Sequence, residues 1–502
     1  MAEFDLAIIG GGINGTGLAR DAAGRGLRVL LVEMNDLASG TSSASSKLIH
    51  GGLRYLERGA FRLVREALSE REVLLRMAPH VIRPMRFMLP PLSGLRMPLK
   101  LRFGLFLYDL LGARKLLPGA RTVDLTHHPV GQPLKRQFLY GFEYSDCCVD
   151  DSRLVALNAL DAAEHGAVIR TRTRCMRVER RDEWELVLNS RGRREVASAR
   201  VLVNAAGPWI GEVADTVIRK PLKAPVRLIK GSHIVVRRLF EHDSGYILQA
   251  ADGRVVFALP FAEDFTLIGT TDENFVGDLN SPAPDPDEIT YLCDVVNEYF
   301  RETITPDELV WSFSGVRGLY DDGAGRPEDV TRDYELVLDE HHGEAPLLTI
   351  YGGKITTHRR LAEAVMARIG KFFEALPPWT AGSTLPGGDF APDGFYPLVA
   401  ESIGRWPFLS EPHARRLVRA YGRRIERILG DAQSMQDLGA CFTGNLTAAE
   451  VRYLVENEWA QTADDVLWRR SKLGLKATPA ERSALGQFIA TLSKETARPT
   501  KP

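Results

Sequence analysis

Residues 4–9 (FDLAII) run apolar without alternation and stop at a glycine cluster, the pattern of a parallel strand covered on both faces. Helical spacing follows over residues 14–24, and a second unbroken run, RVLLVE at 28–33, completes a βαβ unit with an expected right-handed crossover. Residues 151–164 repeat apolar positions at Leu154, Leu157 and Leu160, end near Gly166 and lead into AVIRTRT at 167–173, with further strands expected at 184–188 and 199–204. Between these blocks lies an insertion. LIKGSHIVV, RVVFALP and FTLIGTT, between residues 226 and 310, read as an antiparallel sheet. PPWTAGSTLPGGD at 377–389 has linker composition, and a helical region follows it, with a capping box at Thr447 and Glu450 and a basic amphipathic run at 414–429. The expected fold is α/β: a Rossmann-type domain (1–84, 150–225 and 311–376) interleaved with an α+β antiparallel-sheet domain for substrate (85–149 and 226–310), plus an all-α C-terminal domain (390–502).

Composition narrows the function without naming it. At 502 residues, 44% of them apolar, the chain can bury two or three cores. A net charge of −1 gives no general attraction to nucleic acid, so any anion must be held by a local group of bases. The cysteines (Cys147, Cys148, Cys175, Cys293, Cys441) are odd in number and lack paired spacing, so neither metal nor disulfide is expected and a reducing compartment is. The N-terminus lacks the basic start and apolar stretch of a signal peptide, which points to the cytoplasm. No apolar run approaches the roughly 20 residues of a spanning helix, which leaves surface attachment open.

Chemistry enters at the turns. Gly10, Gly12 and Gly15 sit where the first strand becomes a helix: a tight turn, a close approach to pyrophosphate, and close helix–strand packing. The helix N-terminus then offers free N–H groups to phosphate. Glu33 ends the second strand, where a carboxylate can accept from both hydroxyls of an adenosine ribose, so an adenine dinucleotide is expected here. Two other turns favour FAD over NAD. VNAAGPWI at 203–210 brings Ala206 and Gly207 close to a ligand. GGKITTHRR at 352–360 opens a helix at Gly353, Lys354, Ile355 and Thr356, whose N–H groups could stabilise charge on a reduced flavin ring. Ser42, Ser43, Ser45 and Ser46 could line the pyrophosphate; a polar loop is the alternative.

IIGGGINGTGLARDAAGRG (8–26), GTSSASSKLIHGGLRYL (40–56), GVRGLYDD (315–322) and GGKITTHRRLAE (352–363) together resemble the FAD-dependent glycerol-3-phosphate dehydrogenases. His358 stands where tyrosine is expected, and Gly318 where proline is usual. The resemblance implies oxidation of sn-glycerol 3-phosphate to dihydroxyacetone phosphate, with hydride passing to FAD and electrons to membrane quinone. An oxidase using oxygen and a more distant amine or amino-acid oxidase are the alternatives. Such chemistry needs a clamp for a dianion, and Arg54, Arg317, Arg332 and Lys354 lie in or beside the matched strings. It also needs a base, for which His233 and His50 are candidates; either can instead be a hydrogen-bond donor or a core residue. Thr270 could add a hydroxyl. A homodimer attached peripherally to the inner membrane face is expected. RMPLKLRFGLFLYDLLGARKLLP at 96–118 is the first candidate surface and the run at 414–429 the second.

Overall fold

The computed structural model describes residues 2–53, 56, 59–91, 97–112, 116–321, 323 and 333–496, with backbone alone at 97–100 and 493–496. Two sheets divide the first three-quarters of the chain. In one, Phe4–Ile9 lies between Val29–Val32 and Arg193–Asn204, with Val168–Arg170 and Glu344–Tyr351 outside them, all parallel. The chain therefore leaves the first strand in opposite directions, and the crevice at its carboxyl end is where such sheets bind ligands. Helices Ile13–Gly24, Asp151–Glu164 and His358–Ile369 supply Leu18, Ala22, Leu154, Leu157, Leu361 and Val365 to the adjoining core. Asp150 caps the second of these by accepting from the Arg153 N–H.

The other sheet is mainly antiparallel and begins from Val226–Arg237, which pairs with Phe265–Gly269 on one side and Trp311–Tyr320 on the other. Val255–Phe261, Gly245–Gln249, Ile82–Leu89, Tyr140–Val149 and Leu48–Ile49 extend it. Helix Pro286–Tyr299, with a reciprocal capping box between Asp285 and Glu288, covers one face through Leu292, Val296 and Tyr299. Two boundaries differ from the sequence reading. Residues 311–320, assigned there to the dinucleotide unit, pair instead with Val226–Arg237, and the second sheet takes strands from before residue 85. Strand partnership is settled by long-range hydrogen bonds that local pattern does not encode.

The C-terminal region is helical, with Phe395–Arg405, Glu411–Tyr421, Ala448–Asn457 and Pro479–Thr496 around a separate core. The segment read as a linker is packed: Leu385 is buried, the Thr384 carbonyl accepts from Arg20, and a side chain on Gly387 would overlap the Tyr421 carbonyl. Ion pairs lock this region to the helix and loops around the first sheet, among them Arg153 with Glu458, Arg470 with Asp36 at 3.0 Å and Arg172 with Asp465 at 2.7 Å. The basic run is used internally, since Arg416 pairs with Glu450 at 2.6 Å and Arg424 with Glu164 at 2.7 Å. Glu450 is thereby drawn away from the expected reciprocal cap, although Thr447 still accepts its N–H.

Candidate active site

A cavity of about 370 Å³ opens at the carboxyl end of the first strand. Of the residues singled out in the sequence, Gly10, Gly12, Glu33, Ser42, Ala206, Gly207, Gly353 and Arg317 line it. Gly10 has φ +118°, and a Cβ there would stand 2.5 Å from the Ala205 carbonyl oxygen, so the turn admits no side chain. A Cβ on Gly12 would meet only Ser42 Oγ, at 3.1 Å, which leaves the helix N-terminus bare toward the cavity. Gly15 acts from behind: a methyl there would overlap the Gly10 carbonyl.

At one end Glu33 accepts from the Gly11 and Asn35 N–H groups at 2.7 and 2.8 Å. Burial pushes its carboxyl up, while those two donors hold part of the charge. Ribose hydroxyls are the donors such a group still lacks. Asn14 donates to the Gly352 carbonyl at 3.0 Å, tying the first helix to the third Gly-rich turn, and its own Oδ1 is buried without a partner among the described residues. A glycine-lined helix N-terminus, a carboxylate pushed up by burial and, among the described residues, an amide oxygen without a partner fit an adenine dinucleotide in one cleft.

The serine loop divides. Ser42 Oγ accepts from the Ile13 N–H at 3.0 Å, so it caps the first helix from a distant segment and faces the cavity. Ser43 turns to the Gly40 carbonyl, Ser45 to Asp151 at 2.8 Å and Ser46 to His233 Nε2 at 3.0 Å. These three hydroxyls are directed to protein partners, and of the four serines Ser42 is the one in the cavity wall. Lys354, Ile355 and Thr356 form the turn into His358–Ile369, and Thr356 Oγ1 accepts from the His50 N–H at 3.3 Å.

Beyond Gly207 the wall changes character. Arg317, whose side chain is 26% exposed, donates to Asp272 at 2.8 Å, and a Cβ on Gly231 would touch both Thr270 Oγ1 and the Arg317 guanidinium. Thr270 Oγ1 donates to the Thr271 carbonyl at 3.0 Å. His233 lies two residues along the strand from Gly231, its ring stacked on Phe313 at 4.9 Å and leaning over Gly269, which has no side chain to displace it. Burial, then the charges of Lys47 and Arg317, lowers the His233 pKa to about 3, so the imidazole is neutral; its Nδ1 has no partner among the described residues. His50 sits edge-on to Phe257 at 6.3 Å. Arg54 and Arg332 lie outside the described residues.

Sequence reasoning missed Lys47 and Asp151, a buried pair at 2.8 Å that anchors the serine loop, and Thr173–Met176 with Glu212, Val213, Thr216 and Val217, which line the cavity beyond Glu33, whose carbonyl accepts from the Thr173 N–H. No local motif marks these. Both departures from the expected strings have structural partners. His358 Nδ1 bonds the Ile355 carbonyl at 2.8 Å while its ring packs against Gly17, and a side chain on Gly318 would press on Gly207 and Pro208.

Residues 5–359 match the FAD dependent oxidoreductase family, and residues 379–499 match the C-terminal domain of alpha-glycerophosphate oxidase. The chain is 49% identical to a glycerol-3-phosphate dehydrogenase of Pseudomonas aeruginosa, over 97% of this chain and 96% of that one. It is 50% identical to a D-erythritol 1-phosphate dehydrogenase of Brucella abortus, over 97% and 99%. Among solved structures, a glycerol-3-phosphate dehydrogenase from Bacillus halodurans complexed with FAD superposes with a TM-score of 0.73 at 25% identity, covering 100% of this chain and 97% of that one. The cradle at Gly10, Gly12 and Glu33 and these likenesses agree, and the chain belongs to the FAD-dependent oxidoreductases.

Proposed function

We propose that this enzyme oxidises the C2 hydroxyl of sn-glycerol 3-phosphate to dihydroxyacetone phosphate and passes the electrons to a quinone in the membrane. One observation carries the reading: a guanidinium, Arg317, stands in the wall of the FAD cradle beside a buried, neutral imidazole. FAD, when bound, supplies the hydride acceptor. Glu33, the first turn of Ile13–Gly24, Ser42 and the turn at Gly352 and Gly353 would hold it. Arg317 binds the phosphate or an adjacent substrate oxygen, with Asp272 fixing its orientation, and Lys354, Arg54, Arg332 and Thr270 complete the clamp. His233 accepts the hydroxyl proton. Its low affinity for protons in the free protein comes from burial and from two cations, and an incoming dianion offsets the cations' share. His50 and Thr356 are held to each other, the His50 N–H donating to Thr356 Oγ1.

The outer face of helix Met97–Leu111 supports the membrane part of the reading. Leu105 and Tyr108 point inward at 2% exposure, while Phe103, Phe106 and Leu110 stand 63%, 61% and 68% exposed along one side. No described helix is long and apolar enough to cross a membrane, so this face would seat at the headgroup boundary on the inner side, where quinone is reached from the lipid.

Anaerobic titration with sn-glycerol 3-phosphate tests the proposal: the yellow flavin bleaches, and a quinone analogue restores it. Failure to bleach overturns it, and peroxide formation in place of quinone reduction moves the assignment to the oxidase. A second substrate is favoured by the 50% identity to a D-erythritol 1-phosphate dehydrogenase. Comparing kcat/KM for the two phosphates side by side decides between them.

A further inference from the structure

The stack that carries His233 does not end in its own sheet. On Trp311–Tyr320 the alternating residues Trp311, Phe313, Gly315 and Arg317 share one face. The serine loop rests on that face, because a Cβ on Gly315 would stand 2.7 Å from the Ala44 carbonyl. His233 stacks on Phe313 at 4.9 Å, Phe313 meets Trp311 at 4.6 Å, and Trp311 meets Trp468 of the C-terminal region at 4.6 Å. Trp468 is itself held: Arg469 and Arg470 bind Asp36, and Lys472 donates to Ser152 Oγ at 2.8 Å and to the Trp468 carbonyl.

We infer that Trp468 is a positioning residue for His233, acting through Trp311 and Phe313, so that the C-terminal region sets the placement of the proton acceptor. The inference rests on the role proposed above for His233. Among the described residues the imidazole is bound at Nε2 by a single serine and its Nδ1 is unpartnered, and Gly269 beneath it offers no side chain. Ring contact with Phe313 is therefore a principal restraint on tilt, and Phe313 keeps its plane only while Trp311 is backed by Trp468. Offset and tilted aromatic pairs at these separations are attractive and directional, which suits them to hold an angle.

The test is the rate of flavin reduction by sn-glycerol 3-phosphate under anaerobic stopped flow, in the full chain with flavin content matched. Trp468→Leu keeps apolar bulk but removes the ring. Its limiting reduction rate should fall about tenfold, the scale on which small misplacements of reacting groups act. The substrate concentration at half-saturation should stay near that of the wild type. Trp468→Phe should recover most of the rate, and adding Trp468→Leu to His233→Asn should cost nothing further. If His233→Asn reduces flavin at the wild-type rate, the underlying reading fails. If His233→Asn is slow while Trp468→Leu is not, the positioning role alone is overturned. An equal loss in Trp468→Leu and Trp468→Phe, additive with His233→Asn, also overturns it. Should Trp468→Leu come without flavin, Phe313→Leu takes its place: a comparable loss supports the ladder, and a wild-type rate removes it.

Discussion

The two halves of the site are built from different materials. Toward the adenine end the walls are backbone, with Gly10, Gly12 and Gly207 letting main-chain groups approach a ligand directly and Glu33 presenting a carboxylate. Toward the reacting end the work passes to side chains held by other side chains: Arg317 by Asp272, His233 by Ser46 and Phe313, Lys47 by Asp151. A backbone cradle tolerates no added atoms but needs few particular functional groups. A side-chain cluster tolerates volume changes but fails when one charge is lost. Damage to the first half should therefore cost cofactor and stability together, and damage to the second should cost substrate affinity or rate while the flavin stays.

The largest effect should follow Gly15→Ala, whose methyl collides with the Gly10 carbonyl inside a closed turn. Despite the better helix propensity of alanine, a loss of about 3 kcal/mol is expected from the overlap, with colourless protein. Thermal melts and flavin released per chain check it, and a yellow variant of wild-type stability would break the comparison. Arg317→Ala comes next: the flavin remains, and the sn-glycerol 3-phosphate needed for half-bleaching rises about a hundredfold, as for a lost charge-assisted contact of about 3 kcal/mol. An unchanged titration would take Arg317 out of the clamp.

His358 sharpens the comparison through pH. Burial lowers its pKa to about 4, whereas the unfolded chain titrates near the ordinary 6.5. As pH falls the unfolded state takes the proton first, so the stability held above pH 6.5 drains away down to about pH 4. At pH 5 this drain amounts to about 2 kcal/mol. Denaturant melts of His358→Leu at pH 7 and pH 5 should differ by that much less than those of the wild type, and an unaltered difference would contradict the assignment. The smallest effect belongs to Ser42→Ala. It removes a distant cap on the Ile13 N–H and should cost about 1 kcal/mol, read as a slightly lower melting temperature and weaker retention of FAD on dilution.

The amphipathic segments at 96–118 and 414–429 looked alike as strings, yet their outward residues meet different surroundings. In the second, Arg416 and Arg424 are absorbed by Glu450 and Glu164. The first, over its described residues, leaves Phe103, Phe106 and Leu110 outward with Leu105 and Tyr108 filling the core. A helical period reports that two faces exist; what each face meets depends on residues far away in the chain.

Residues near one another in sequence were sufficient for the βαβ unit, the glycine turn, the acidic residue that follows it and the helical character of the last region, because each depends on local backbone geometry or short-period burial. The strand partner of Trp311–Tyr320, the use of Ser45 and Ser46 by Asp151 and His233, and the Lys47–Asp151 anchor were settled only by folding. Each depends on groups tens to hundreds of residues apart, whose meeting is governed by sheet order and by competition among buried polar groups for the few partners within reach.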